Sequence, residues 1–279
     1  MDTIVSALSS MISAVVTKTT VAPLERIKLL KQSQLYYGQK NYSGLFQSCK
    51  FIYKNEGAVG FFRGNYSNLV RIVPAYMIKF PLNDFYKQKL GVNKDTPFKQ
   101  LAGGIFAGFT QISITYPLDT IRTRMSLDHH MTSNYNNYLT CARNIIKQEG
   151  FKAFYKGFPI SGVSYPLYVG LQFFAYEKLK EEGPPIFENT MVAGASAGLF
   201  AQSIMFPGDT IKRNLQINGI DNTASRYNNP IDCIIQMYRT YGIRAFYTGY
   251  GINLIKAVPE VSLQFTVYDI VKSLLVPYI

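Results

Sequence analysis

The chain has 279 residues, 47% hydrophobic and 16% charged, and its 29 Lys and Arg against 17 Asp and Glu give a formal net charge of +12. That length holds one or two domains, and 14% aromatics with long apolar runs exclude a disordered chain. With Cys49, Cys141 and Cys233 as the only cysteines, a disulfide scaffold is excluded and no C-x-x-C metal site exists. A mean hydropathy of +0.01 with so few charges leaves little water-facing surface. The basic excess therefore points to a partner that is acidic and either membranous or small.

Taken in chain order, four stretches carry no charge: 3–17, 100–118, 157–176 and 189–208. The last three have the length of a helix that crosses ~30 Å of hydrocarbon at ~1.5 Å per residue. Two further apolar runs are broken by single charges, 72–83 by Lys79 and 257–268 by Glu260. These patterns predict six membrane helices, near 3–33, 66–90, 98–126, 159–180, 188–216 and 252–275. An ionisable group at membrane depth costs ~2.5 kcal/mol or more, so Lys18, Arg71, Lys79 and Glu260 should face protein or a water-filled cavity. No basic region or small-residue cleavage site precedes the first helix, so no cleavable signal is expected.

The chain repeats itself three times. Pro23-Leu-Glu-Arg-Ile-Lys28 recurs as Pro117-Leu-Asp-Thr-Ile-Arg122 and Pro207-Gly-Asp-Thr-Ile-Lys212. Ahead of each proline, in register, stand Ser10 and Ala14, Gly104 and Gly108, Gly194 and Gly198, a small-x-x-x-small spacing that lets membrane helices approach closely. After each motif comes a segment bounded by Tyr and Gly (42–57, 135–150, 227–242) that ends in an amphipathic helical stretch. Asp84, Glu177 and Asp269 then recur, each followed three residues later by a lysine: Lys87, Lys180 and Lys272. Each unit is thus a membrane helix, a short amphipathic helix and a second membrane helix. The whole is one all-α membrane domain over 1–279 with pseudo-threefold repeats 1–92, 93–183 and 184–279, both termini on one side. Cys49, Cys141 and Cys233 fall on the amphipathic segments as packing residues.

On these motifs the sequence resembles the mitochondrial carrier family over its whole length. The family's downstream element is met by Glu56-Gly57 with Phe62-Arg63-Gly64 and by Glu149-Gly150 with Tyr155-Lys156-Gly157. The third copy, Tyr241-Gly242 with Tyr247-Thr248-Gly249, lacks both acid and base, which weakens the expectation that it binds a lipid headgroup such as cardiolipin as the others should. The resemblance implies a matrix-side ring in which the acid of one repeat meets the base of the next: Glu25 with Arg122, Asp119 with Lys212, and Asp209 with Lys28. Gln32 and Gln216 resemble the family's braces beneath two of these pairs, with Ser126 at the third position. At the opposite end Asp84, Glu177 and Asp269 with Lys87, Lys180 and Lys272 resemble the cytoplasmic network, its usual aromatic replaced in the first repeat by Asn83. The family's substrate contact points fall on Arg71, on Ser164 with Tyr165, and on Lys256.

With Lys79 two turns from Arg71 and Lys18 on the first helix, these positions describe a positively charged cavity. Fixed cations in a low-dielectric hole favour a multivalent anion, so a phosphorylated guest fits best. Glu260, one turn from Lys256, either offsets the charge or salt-bridges to it. The segment Lys18 to Lys28 resembles carriers of adenine nucleotides, coenzyme A and ATP-Mg/phosphate, whereas Lys212-Arg213-Asn214-Leu215 departs from the ADP/ATP carrier run. Tyr165 or Tyr168 either stacks on a base or packs between helices. Rival readings are a carrier of coenzyme A, phosphate or carboxylates, a carrier-like scaffold that does not transport, and a basic nucleic-acid binder. The in-register alternation of acids and bases argues against the last. No P-loop, Rossmann or G-x-S-x-G motif occurs, and His129 and His130, beside Asp128 and Asn134, read as a solvated loop, so no enzyme chemistry, cofactor or metal is expected. The reading is a monomeric carrier of the inner mitochondrial membrane that exchanges phosphorylated anions, nucleotides foremost, by alternating access.

Overall fold

The computed structural model describes residues 2–37, 42, 44–91, 96–127, 137–220 and 226–275. His129 and His130, with Asp128 and Asn134, lie outside the described residues. The described chain is helical: α1 (Asp2–Thr20), α2 (Ala22–Tyr37), α3 (Leu45–Glu56), α4 (Asn65–Lys89), α5 (Pro97–Leu127), α6 (Tyr138–Glu149), α7 (Phe158–Glu182), α8 (Thr190–Gln216), α9 (Pro230–Tyr241) and α10 (Tyr250–Leu275). Six long rods, the first made of α1 and α2, stand as three pairs, and each pair is joined through a 12-residue amphipathic helix, α3, α6 or α9. A short 3-10 turn then leads into the next rod, at Ala58–Phe62, Phe151–Tyr155 and Ile243–Tyr247.

The first rod differs from the single helix expected. It breaks at Val21, two residues before Pro23, whereas α5 and α8 run unbroken through Pro117 and Pro207. Proline lacks the N–H that would bond back one turn, so each of these helices is weakened at the same place. The break in the first is one residue wide, since Glu25 still donates its N–H to the Val21 carbonyl at 3.0 Å.

The rods close on themselves. The most extensive contacts join α4 to α5, α7 to α8 and α10 back to α1, so every repeat packs on the next and the third returns to the first. Beside the small residues the spacing predicts, a second row one position earlier is buried. Ser9, Ser13 and Thr17 on α1 and Ala193, Ala197 and Ala201 on α8 are fully buried, and Ser13 donates to the Gln264 carbonyl of α10 at 3.1 Å. Two glycines, Gly108 of the expected row and Gly208 of the third proline motif, serve a different purpose. A Cβ on Gly108 would lie 1.8 Å from the Tyr165 hydroxyl, and one on Gly208 would lie 2.4 Å from the Ser164 hydroxyl. These glycines make room for side chains that stand inside the bundle.

The largest buried apolar cluster gathers at the end that carries the proline motifs, with Ile27, Leu30, Ile121 and Ile217 packed on Ile52 of α3 and Cys141 and Ile145 of α6. Cys233 on α9 is likewise fully buried. Large apolar residues instead face outward along the rods, among them Phe106, Ile114, Val163, Leu167, Phe200 and Val258. An apolar belt of this extent marks a surface that does not meet water. Among the described residues, no helix is long and apolar enough to cross a membrane when judged by hydropathy alone. The cause lies in composition: each rod adds to its apolar face a stripe of Ser, Thr, Gly and charged residues that looks into the bundle, and the average over all faces falls.

Gly64 opens α4 with φ +79°, and a Cβ there would come 2.9 Å from the Ser126 Cα. Gly157 and Gly249 hold the same place in the other repeats, at φ +82° and +89°. A side chain must therefore adopt a left-handed backbone and push against the end of α5. Gly64→Ala is expected to lose about 1–3 kcal/mol of stability, read as a lower unfolding midpoint in detergent; a midpoint equal to wild type would show that the α4 start is not held against α5.

Candidate functional site

The three proline motifs meet on the axis of the bundle, and there each acid meets the base of another repeat. Lys28 donates to Asp209 at 2.7 Å, Lys212 to Asp119 at 2.7 Å, and Arg122 to Glu25 at 2.9 Å. Gln216 donates to the same Asp119 oxygen at 3.1 Å, and Gln32 reaches Asp209 at 3.4 Å and the Thr210 hydroxyl at 3.2 Å. Ser126 has another role: its carbonyl accepts from Arg26 at 2.9 Å. One ring member escaped sequence reasoning. Arg213 lies between two acids, donating to Asp119 at 3.3 Å with Asp209 3.7 Å away, and also donates to Thr123 and to Gln216 Oε1. The adjacency of Lys212 and Arg213 was the signal, because consecutive helical residues about 100° apart can both reach an acid on a narrow axis.

The three links are unequal. The Lys28 ammonium stands 5.2 Å over the Phe206 ring and Lys212 stands 4.9 Å over Tyr116. Each aromatic directly precedes a motif proline, and it holds the cation that arrives from the neighbouring repeat. The third motif proline follows Ala22, which offers no ring. There Lys256 supplies the extra contact, donating to the second Glu25 oxygen at 2.5 Å.

Below the ring, helix ends are tied across repeats. The last carbonyls of a helix lack partners within it, and cations are favoured beside them. Arg26, fully buried, caps the end of α5 through one terminal nitrogen, while its other donates to both Glu56 oxygens at 2.8 and 2.9 Å. Arg124 and Lys156 cap the end of α8 at the Gln216 and Asn218 carbonyls, at 3.0 and 2.7 Å, and both bind Glu149. The third repeat does this without an acid: Tyr241 donates its hydroxyl to the Leu35 carbonyl at 3.1 Å, and Arg226 donates to the Leu35 and Tyr36 carbonyls at 2.8 and 2.7 Å. The departure of Tyr241 from the pattern is thus a substitution of one cap for another.

Above the ring lies a cavity of about 380 Å³. Its floor carries the bases Lys28, Arg71, Arg122, Lys212 and Arg213 with the acids Asp119 and Asp209, and its wall carries Ser161, Ser164, Tyr165, Tyr168 and Gln202. Of the contact residues expected from the sequence, Arg71, Ser164 and Tyr165 line it. Arg71 Nε is buried without a hydrogen-bond partner among the described residues, with Asp119 Oδ1 3.9 Å away. Lys18 and Lys256 stand apart, bound to Glu260, and Lys79 is exposed with its ammonium 5.8 Å from the Tyr76 ring centre. At the far end Asp84, Lys87, Glu177, Lys180, Asp269 and Lys272 are all exposed. Among the described residues these six form no ion pair with one another; Lys180 donates to the Glu188 carbonyl and Lys272 stands over Tyr268.

A closed bundle of three helix pairs, tied at one end by inter-repeat ion pairs and hollow above them, defines a membrane solute carrier. The sequence model of the family "Mitochondrial carrier protein" matches residues 1–94, 93–182 and 185–278. The chain is 32% identical to "Mitochondrial carrier protein CoAc2" of Zea mays, over 92% of this chain and 82% of that one. It is 33% identical to "Mitochondrial coenzyme A transporter SLC25A42" of Xenopus tropicalis (97% and 85%) and 34% identical to "Mitochondrial adenine nucleotide transporter ADNT1" of Arabidopsis thaliana (93% and 84%). The chain belongs to the mitochondrial carrier family. It is a multi-pass protein of the inner mitochondrial membrane, and a transporter rather than an enzyme.

Glu149, on the connecting helix outside the spanning rods, allows a pH test. Burial works to raise its carboxyl pKa, but hydrogen bonds and charge from Arg124 and Lys156 outweigh burial and hold it below the ordinary carboxylate range. A carboxyl depressed by folding adds stability above its unfolded-state pKa, and that share is lost as pH falls through the folded value. Glu149→Gln should lower the unfolding midpoint at neutral pH and flatten its decline between about pH 5 and pH 3. Parallel declines in wild type and variant would remove this role.

Proposed function

We propose that the chain exchanges phosphorylated anions, nucleotides foremost, across the inner mitochondrial membrane by alternating access. The observation that carries this reading is one cavity lined by five bases, Lys28, Arg71, Arg122, Lys212 and Arg213, against two acids, Asp119 and Asp209, with two tyrosines, two serines and a glutamine on its wall. Phosphate groups are the guests for which clustered, desolvated guanidinium and ammonium groups are suited. A planar base finds its match higher up, in the aromatic faces and amide of the wall. Two of the relatives, an adenine nucleotide transporter and a coenzyme A transporter, support the same class of guest.

In this reading the ring of Glu25, Lys28, Asp119, Arg122, Asp209 and Lys212, braced by Gln32 and Gln216, is the matrix gate and is shut. Asp84, Lys87, Glu177, Lys180, Asp269 and Lys272 form the cytoplasmic gate and are apart, so the cavity faces the cytoplasmic side. The coupling is chemical. Lys28, Lys212 and Arg213 both hold the ring and form the cavity floor, so a phosphate that binds them competes with Asp119 and Asp209. Binding then weakens the seal beneath it, as a ligand must if it is to shift the carrier between states. One chain, a single domain of three repeats over 1–92, 93–183 and 184–279, is the transport unit. Cardiolipin is, in the same reading, the lipid partner of the acid-base stations of the first two repeats.

Coenzyme A is the second reading, favoured by the names of the relatives; its adenosine bisphosphate end presents the same chemistry to the same floor. Uptake by reconstituted vesicles of ribo- and deoxynucleotides, coenzyme A, phosphate and carboxylates separates the two. Nucleotide uptake that coenzyme A does not inhibit supports the first, and coenzyme A uptake with nucleotides inert supports the second. Carboxylate uptake alone overturns both. Within this scheme Arg71→Ala should reduce exchange at least about tenfold, by removal of a buried charge-assisted contact of ~1.5–3 kcal/mol, while the detergent unfolding midpoint stays near wild type. Wild-type rates in Arg71→Ala would remove the floor from the site.

A further inference from the structure

Among the described residues, Glu260 is the one acid inside the bundle that belongs to no motif. It stands one turn along α10 from Lys256, and its carboxylate bridges two ammonium groups, Lys256 at 2.9 Å and Lys18 of α1. Lys256 continues to Glu25 at 2.5 Å and Glu25 to Arg122 at 2.9 Å. A line of alternating charge thus climbs from the ring toward the open end, between the third repeat and the first. The other repeats have no counterpart. In the register that aligns Asp84, Glu177 and Asp269, the position of Lys256 is held by Arg71 and Ser164, and that of Glu260 by Ala75 and Tyr168.

Two ammonium groups fixed this close in a poorly hydrated place repel each other and require an anion between them. Here the anion is supplied by the chain. The Glu260 and Lys18 side chains remain 20% and 25% exposed, so a solute in the bundle can reach them, whereas the Lys256 side chain is 8% exposed. We propose that Glu260 is an internal counter-anion: it occupies the seat between Lys18 and Lys256 in the empty carrier, and a phosphate of the substrate displaces it. The proposal rests on the cavity being a site for phosphorylated anions, and it extends that site from the floor at Arg71 across to α1 and α10.

The exchange of one anion for another has two consequences. Substrate must replace ion pairs already made, so Glu260 weakens binding and hastens release. A singly charged guest gives up as much attraction as it gains, whereas a guest of higher charge gains in balance, so Glu260 acts as a threshold on substrate charge. A pair kept only for structure has neither effect.

The test uses the full chain in vesicles and in detergent. Glu260→Gln keeps the shape and removes the charge. It should lower the KM for the transported nucleotide about tenfold, the equivalent of ~1.4 kcal/mol, and lower kcat at saturation. It should also let singly charged anions compete where they do not compete with wild type. Adding Lys18→Gln should abolish the gain in affinity. If Glu260→Gln does not fold, Glu260→Ser removes the same charge in a smaller side chain, and the same shifts are expected. A KM unchanged or raised in the variant that folds, with only the unfolding midpoint lowered, would make the pair structural and overturn the proposal. If wild type itself takes up no phosphorylated anion, the cavity reading fails first; if it does and the variant keeps the wild-type KM, only the role of Glu260 falls.

Discussion

Charge inside a bilayer needs a partner, and the architecture follows from how this chain provides partners. A lone ammonium or carboxylate at membrane depth is costly, yet the interior of this bundle holds acids and bases from all three repeats. They are admissible because each acid of a proline motif meets a base of a different repeat, and because the outer faces of the rods present Phe, Ile, Leu and Val to lipid. The requirement for pairing in turn fixes the packing. Helices can bring charges to one axis only if their backbones approach closely, which is the task of the buried serines and threonine of α1 and the alanines of α8.

Threefold symmetry of sequence does not produce threefold symmetry of energy. Asp119 accepts from Lys212 and Gln216 and has Arg213 within 3.3 Å, while Asp209 is more exposed and its brace reaches only 3.4 Å. Glu25 has no glutamine brace and is bound by two bases, one of them from the end of the Glu260 line. The cavity lies off the axis, lined mainly by α5, α7 and α8, and the ion-pair line fills the opposite wall between α1 and α10. A guest with a charged end and a flat end suits that asymmetry better than a compact symmetric ion does.

The six rods, the three connecting helices and the three acid-base motifs were legible because each recurs at a constant spacing, and periodicity survives any ambiguity at a single position. Which acid meets which base followed from the family resemblance, since spacing alone does not say it. Single-copy features were harder. The position of Arg213 is held by Leu29 in the first repeat and Thr123 in the second, so Arg213 carries no repeat signal. Glu260 was visible as a charge in an apolar run, but its second partner, Lys18, lies 242 positions away and only the closure of α10 on α1 joins them. The small row at Ser10 and Ala14, Gly104 and Gly108, Gly194 and Gly198 was legible from its spacing, whereas the buried row one position earlier has the same spacing and shows itself only once helix rotation is known.

In the proposed gating scheme, the same pairing that admits charge into the membrane limits how firmly the ring can shut. Moving a two-state equilibrium from about 1:99 to about 99:1 takes ~5.5 kcal/mol of differential binding, a sum within reach of a few charge-assisted contacts. A ring held by three pairs, two glutamines and two aromatic seats would exceed that sum if every contact were dry and lost together. The contacts need not be lost together: the cavity opens onto Lys28, Asp119, Asp209, Lys212 and Arg213, so a solute that enters it reaches the upper side of the ring. In the proposed scheme the bases that leave an acid pass to a phosphate, so neither charge is left buried without a partner. If the ring is the gate proposed above, closure by ion pairs that border the cavity, rather than by a packed apolar plug, keeps the seal within the range of ligand binding energy.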